Sequence, residues 1–196
     1  MPAKRPASRL AVLAEADLND AQRTLLAALR SGPRGQSLNV RGPFAAWMHA
    51  PEFGLLAQAL GAHCRYQTAL PPRLSEFAIL CTARLWRAQY EWFAHQPMAE
   101  KAGVKDKTIA DLKAGREPKS APKDERAIYA FVQELYKTRR VSDRTYKRLN
   151  SLIGDQATVE LVGVCGYYAL ISMTLNVFRM MPPDDAKLAF PEPSGK

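Results

Sequence analysis

Proline and glycine punctuate this chain at helix-sized intervals, and between the breaks apolar residues recur at helical spacing while no strand-like alternation persists. That pattern predicts an all-α fold. A helix is expected from about Asn19 to Arg30, with Leu25, Leu26 and Leu29 apolar and Gly32-Pro33 ending it. Ser31 to Gly42 reads as a loop closed by Arg41-Gly42-Pro43. A short helix over Phe44 to His49 follows, then a longer one opening at Pro51, where proline suits the first turn. Pro72 can begin the next helix, through Glu76, Ile79 and Leu80. No breaker divides it from the segment Gln89 to Gln96, so a turn near Trp86 to Gln89 stays open. Pro97 should kink the chain just after His95, and Gly103 ends this unit. Asp106 to Ala114 forms a short helix stopped by a left-handed Gly115. After a linker over residues 116–123 come Asp124 to Thr138, a helix capped by Ser142, and a long apolar helix from Asp155 to about Arg179. The organisation is a poorly ordered arm (1–17), one helical-bundle domain of about eight helices (18–181) and a proline-rich tail (182–196).

With 196 residues, 47% of them hydrophobic and 24% charged, the chain has the means to build one substantial globular core. Lysine and arginine outnumber acids 28 to 19, a net charge of +9 that attracts anions, either nucleic acid or small carboxylates. A basic, solvated surface is the plainer reading. The cations are scattered (Lys4, Arg5, Arg139, Arg140, Arg144, Lys147, Arg148) and no zinc-finger, RRM or KH signature accompanies them, which argues against a nucleic-acid partner. Cys64, Cys81 and Cys165 form no CxxC and sit in apolar stretches, as suits buried thiols in a reducing cytoplasm. Leu10 to Ala14 is too short an apolar run for a signal peptide. Leu161 to Val177 is interrupted by Gly163, Gly166, Ser172 and Asn176 and reads as a buried helix. A cytoplasmic protein without a membrane partner is expected.

The chemistry concentrates in Gln89-Tyr90-Glu91-Trp92-Phe93-Ala94-His95. Residues four apart share a helix face, so Glu91 and His95 can point into one pocket as a general acid/base pair. Glu76, among Phe77, Ile79 and Leu80, needs a partner if buried, and can join them there. The bland alternatives are a satisfied structural histidine, a solvated Glu91, and Glu76 paired with Arg73 or Arg84 at a helix surface. A Glu–His pair could also be part of a metal site, but a third protein ligand is missing and no motif assigns His49 or His63. No metal and no cofactor are expected. Tyr90 could donate into the pocket, and Tyr167 or Tyr168 could line it, although packing explains them equally well.

The run Pro71-Pro72-Arg73-Leu74-Ser75-Glu76-Phe77-Ala78-Ile79-Leu80, then Ala88 to His95, Pro97 and Ala102-Gly103, resembles the carboxymuconolactone decarboxylase superfamily, which also holds the alkyl hydroperoxidase D-like proteins. The likeness extends from about Arg41-Gly42-Pro43-Phe44 to Gly166-Tyr167-Tyr168. It implies an all-α fold and a homo-oligomer in which neighbouring subunits help build the sites. In the hydroperoxidase branch a glutamate is followed by a CxxC pair and then a histidine. Glu76 and His95 match the outer positions, but Ala88 and Glu91 stand where the cysteines would be, and Cys81 lies seven residues earlier. Disulfide cycling needs both thiols. The decarboxylase branch needs neither. The resemblance therefore implies a cofactor-independent enzyme acting on a small anionic substrate. His95 would be its general acid/base, Glu91 the partner or second proton carrier, Glu76 the completing residue, and Arg41 or Arg73 a holder of the substrate carboxylate. Rival expectations are a hydroperoxidase using Cys81 or Cys64, and a non-catalytic ligand-binding oligomer.

Overall fold

The computed structural model describes residues 5–36 and 38–192, so the outermost parts of the expected arm and tail, Lys4 among them, lie outside the described residues. Among the described residues there is no strand; eight α-helices follow a short 3-10 turn at Glu15–Asp17. Helix α1 (Asp20–Ser31) opens on a capping box: the Asn19 side chain accepts from Gln22 N, and the Gln22 side chain accepts from Asn19 N, both at 2.9 Å. Helix α2 (Pro43–Trp47) takes Pro43 from the expected loop into its first turn and stops short of the expected His49, while α3 (Pro51–Tyr66) opens on Pro51 as expected.

Helix α4 (Pro72–Trp86) is the central element, buried without interruption from Leu74 to Ala83 and packed by α5, α7, α8 and α6. A helix hydrophobic on all sides belongs in the middle of a bundle. It ends in the corner the sequence left open. Arg87 takes the left-handed conformation (φ 50°, ψ 36°), Ala88 N donates back to Ala83 O at 2.9 Å, and α5 (Gln89–Lys101) begins at once. No glycine marks this turn, so an ordinary side chain carries a strain of about 1 kcal/mol.

Pro97 does not stop α5, which continues to Lys101. Proline removes one backbone bond, the one Phe93 O would have accepted. The buried residues Trp92, His95 and Ala99 around it hold the helix against α4. Helices α6 (Asp106–Lys113) and α7 (Lys123–Thr138) lead to α8 (Asp143–Phe178), capped by Ser142. Gly154 (φ 79°, ψ 174°) breaks α8 internally, so the two helices expected here are present, joined end to end. The apolar half of α8 is long and apolar enough to cross a membrane, yet just over half of that window is buried inside the protein, as in a core helix.

The described parts of the arm and tail are held against the bundle. Arg9 N donates to Phe178 O at 3.0 Å. Phe190 is buried, edge-on to Trp92 with centroids 5.1 Å apart, and Arg84 lies 5.0 Å over its ring. Gln89 clamps the tail by accepting from Ala189 N (2.9 Å) and donating to Phe190 O (2.7 Å).

Candidate functional site

The left-handed corner at Arg87 folds α5 back along α4, which brings Glu76 of α4 beside His95 of α5 although nineteen residues separate them. One helical turn before His95, Glu91 lies on the same face. The three side chains meet, all of them buried. His95 Nδ1 donates to Glu76 Oε2 at 2.7 Å. On the other edge of the ring, Nε2 stands 3.0 Å from Glu91 Oε1. This second approach lies off the N–H axis, so Glu91 Oε1 is a buried carboxylate oxygen without a hydrogen-bond partner in the protein. Tyr168 of α8 closes the remaining side, its ring perpendicular to the imidazole with centroids 5.1 Å apart.

Burial alone would lower the His95 pKa, since it penalises a charged ring. The Coulomb attraction of Glu91, the hydrogen bond to Glu76 and their further contributions outweigh that penalty and raise it to about 9. His95 is thus an imidazolium at neutral pH, clamped between two carboxylates. Both ring nitrogens face acids, which leaves neither lone pair for an ion. Among the described residues no group of three or more His, Cys, Asp or Glu side chains is arranged to hold a metal.

Glu91 and His95 face a cavity of about 150 Å³, which Tyr90, Tyr167, Tyr168, Arg41, Arg34 and Arg65 help to line. Two glycines make it possible. Gly42 takes a positive φ of 58°, and a Cβ there would stand 2.4 Å from the Tyr90 ring. A Cβ on Gly61 would stand 1.9 Å from Tyr167 Oη, so α3 can seat that phenol only with glycine opposite. Burial raises the Tyr90 hydroxyl pKa, and those of Tyr167 and Tyr168 more strongly, so all three are neutral donors.

Of the residues singled out in the sequence, His95, Glu91, Tyr90, Arg41 and Tyr167 share this cavity. Glu76 stands behind the imidazole and lines a second cavity of about 530 Å³ with Lys101 and Tyr66. Arg73 is elsewhere: its guanidinium is bound to Asp124 (2.5 Å) and Glu125 of α7, and it lines neither cavity. Expected as a carboxylate holder, it is already occupied by two acids of its own chain. Arg34 and Arg65 were not singled out. Arg34 lies in an irregular loop and Arg65 in the last turn of α3, and no spacing signal marks either.

The cysteines make poor nucleophiles. Burial pushes the Cys81 thiol well above its ordinary pKa, the Cys165 thiol up to about 12, and the Cys64 thiol upward as well. All three are free and buried.

No protein-family model matches the chain, and no curated protein matches it in sequence. In structure it is similar to a crystal structure from Ralstonia eutropha JMP134 described as an alkylhydroperoxidase AhpD core, an uncharacterized peroxidase-related protein. The TM-score is 0.76 at 19% sequence identity, covering 93% of this chain and 95% of that one. The chain has the alkylhydroperoxidase D-like all-α fold.

Proposed function

We propose that this protein is a cofactor-independent proton-transfer enzyme of the carboxymuconolactone decarboxylase type, with His95 as its proton donor. The observation that carries the reading is the buried imidazolium between Glu76 and Glu91, with the unpartnered Glu91 Oε1 beside a cavity rimmed by arginines. A carboxylated lactone or β-keto acid that loses carbon dioxide keeps the electron pair of the broken C–C bond as an enolate. That carbon must then take up a proton. The His95–Glu91 edge supplies it from Nε2, which regains a proton from solvent entering the same cavity, while Glu76 keeps the proton on Nδ1 throughout. A positioned general acid of this kind contributes roughly 10²–10⁴-fold. The phenols of Tyr90 and Tyr167 can donate to the enolate oxygen. Carbon dioxide release from a panel of carboxylated lactones and β-keto acids tests the reading. Turnover by the wild type that is lost in His95→Gln supports it; equal turnover in that variant removes His95 from the mechanism.

A second reading is thiol-dependent peroxide reduction, favoured by the fold shared with a protein described as peroxidase-related. It requires a thiolate, and the raised thiols of Cys64, Cys81 and Cys165 weigh against it. The proposed reading includes a homo-oligomer in the cytoplasm. The exposed apolar side chains Val159, Val162, Met173 and Val177, at helical spacing along α8, support self-association, which sedimentation velocity would reveal. Three free thiols suit a reducing compartment.

A further inference from the structure

Arg65 stands at the wall between the two cavities. It lines the inner one with Glu91 and His95, and the outer one with Glu76 and Lys101. Its own partners are soft: one Nη touches the Met98 sulfur, and the guanidinium lies 5.0 Å over the Tyr66 ring. Among the described residues no carboxylate comes within ion-pair distance of it. A thioether is a weak acceptor, so most of the five guanidinium donors remain unspent.

The other arginines near the site differ. Arg73 is neutralised by Asp124 and Glu125. Arg34 is fixed by Gln58, donating to its side chain and its carbonyl at 3.3 Å each, and stacks 5.1 Å over Phe44. Arg41 is exposed at the rim, where solvent and salt screen it. Arg65 is half-buried, and the sulfur it touches belongs to Met98, three residues after His95 and therefore on the same face of α5. A half-buried, unpaired cation thus lines the same cavity as the proton donor, in contact with a side chain one helical turn from it.

We infer that Arg65 is the residue that anchors the substrate carboxylate, its fork exchanging the Met98 sulfur for two carboxylate oxygens. This rests on the proposed reading of the site as one for a small carboxylated substrate. The anchor sets specificity, because an ester or amide of the same skeleton offers no second anionic oxygen to the fork. It also sets orientation, holding one end of the ligand so that the reacting carbon meets the Glu91–His95 edge.

The probes are 5-oxotetrahydrofuran-2-carboxylate and its methyl ester, with binding followed through the His95 ring resonances in wild type, Arg65→Gln, Arg65→Lys and Arg41→Gln. The wild type should prefer the acid. Arg65→Gln should weaken the acid about tenfold or more and leave the ester unchanged, a loss typical of a charge-assisted bond. Arg65→Lys should recover part of it, as a point charge without the fork. Arg65→Lys also carries the test if the glutamine variant fails to fold: acid affinity equal to the wild type would overturn the bidentate anchor. Unchanged acid affinity in Arg65→Gln, with a loss in Arg41→Gln, overturns Arg65 and leaves the carboxylate reading standing. No preference for the acid in the wild type, or no binding of either probe, overturns the carboxylate reading itself.

Discussion

Tyr168 stands perpendicular to His95, the two ring centroids 5.1 Å apart and the planes at 86°. The imidazole is therefore held by an acid at each nitrogen and an aromatic ring on α8, so its position depends on three helices at once. The ring of Tyr168, rather than its hydroxyl, makes this contact. Tyr168→Phe should leave stability within about 0.5 kcal/mol of the wild type, whereas Tyr168→Ala should cost about 3–5 kcal/mol. Urea denaturation of the two variants separates these outcomes.

The His95 proton is also a stability device. Its pKa, near 6.5 in an unfolded chain, is raised to about 9 in the fold, so the protonated native state is favoured. The contribution is complete below pH 6.5 and is lost as pH rises through 9. It amounts to about 3 kcal/mol. Denaturation midpoints should fall across this window in the wild type and stay flatter in His95→Gln. Glu91→Gln, which removes the largest upward influence on the ring, should flatten them in the same sense.

Arg73 belongs to the scaffold. It pairs with Asp124 and with Glu125, a carboxylate only 1% exposed whose pKa burial pushes up in spite of the guanidinium. Arg73→Ala strands that buried acid and should cost about 3 kcal/mol, most of it recovered in Arg73→Ala/Glu125→Gln. The double variant should bind ligands in the His95 cavity as the wild type does, which calorimetry with the carboxylate probe checks.

The thiols should be silent. Iodoacetamide should label Cys64, Cys81 and Cys165 of the folded protein slowly, and complete reaction should require denaturant. Rapid labelling of one cysteine, accompanied by loss of peroxide consumption, would instead favour the thiol reading.

Much of this was legible from residue types alone. The prolines at 51 and 72 mark the starts of two helices, and the i, i+4 spacing places Glu91 and His95 on one face. Glu76, which residue types left either in this site or paired with Arg73 or Arg84 at a helix surface, stands 2.7 Å from His95. Three features were not legible, each for a physical reason. The corner at Arg87 uses a left-handed residue that is not glycine, so it carries no composition signal. Pro97 reads as a kink because its missing N–H is local, whereas the packing that carries α5 through it to Lys101 comes from α4. Arg65 and Arg73 look alike in sequence; only the fold decides that one meets two acids and the other a thioether.

Whether His95 holds a proton at neutral pH is read most directly by titrating its ring carbon and nitrogen resonances. A ring clamped between Glu76 and Glu91 should remain imidazolium to about pH 9. A His95 ring that is neutral by pH 6.5 would contradict the account, because it would have no proton to give.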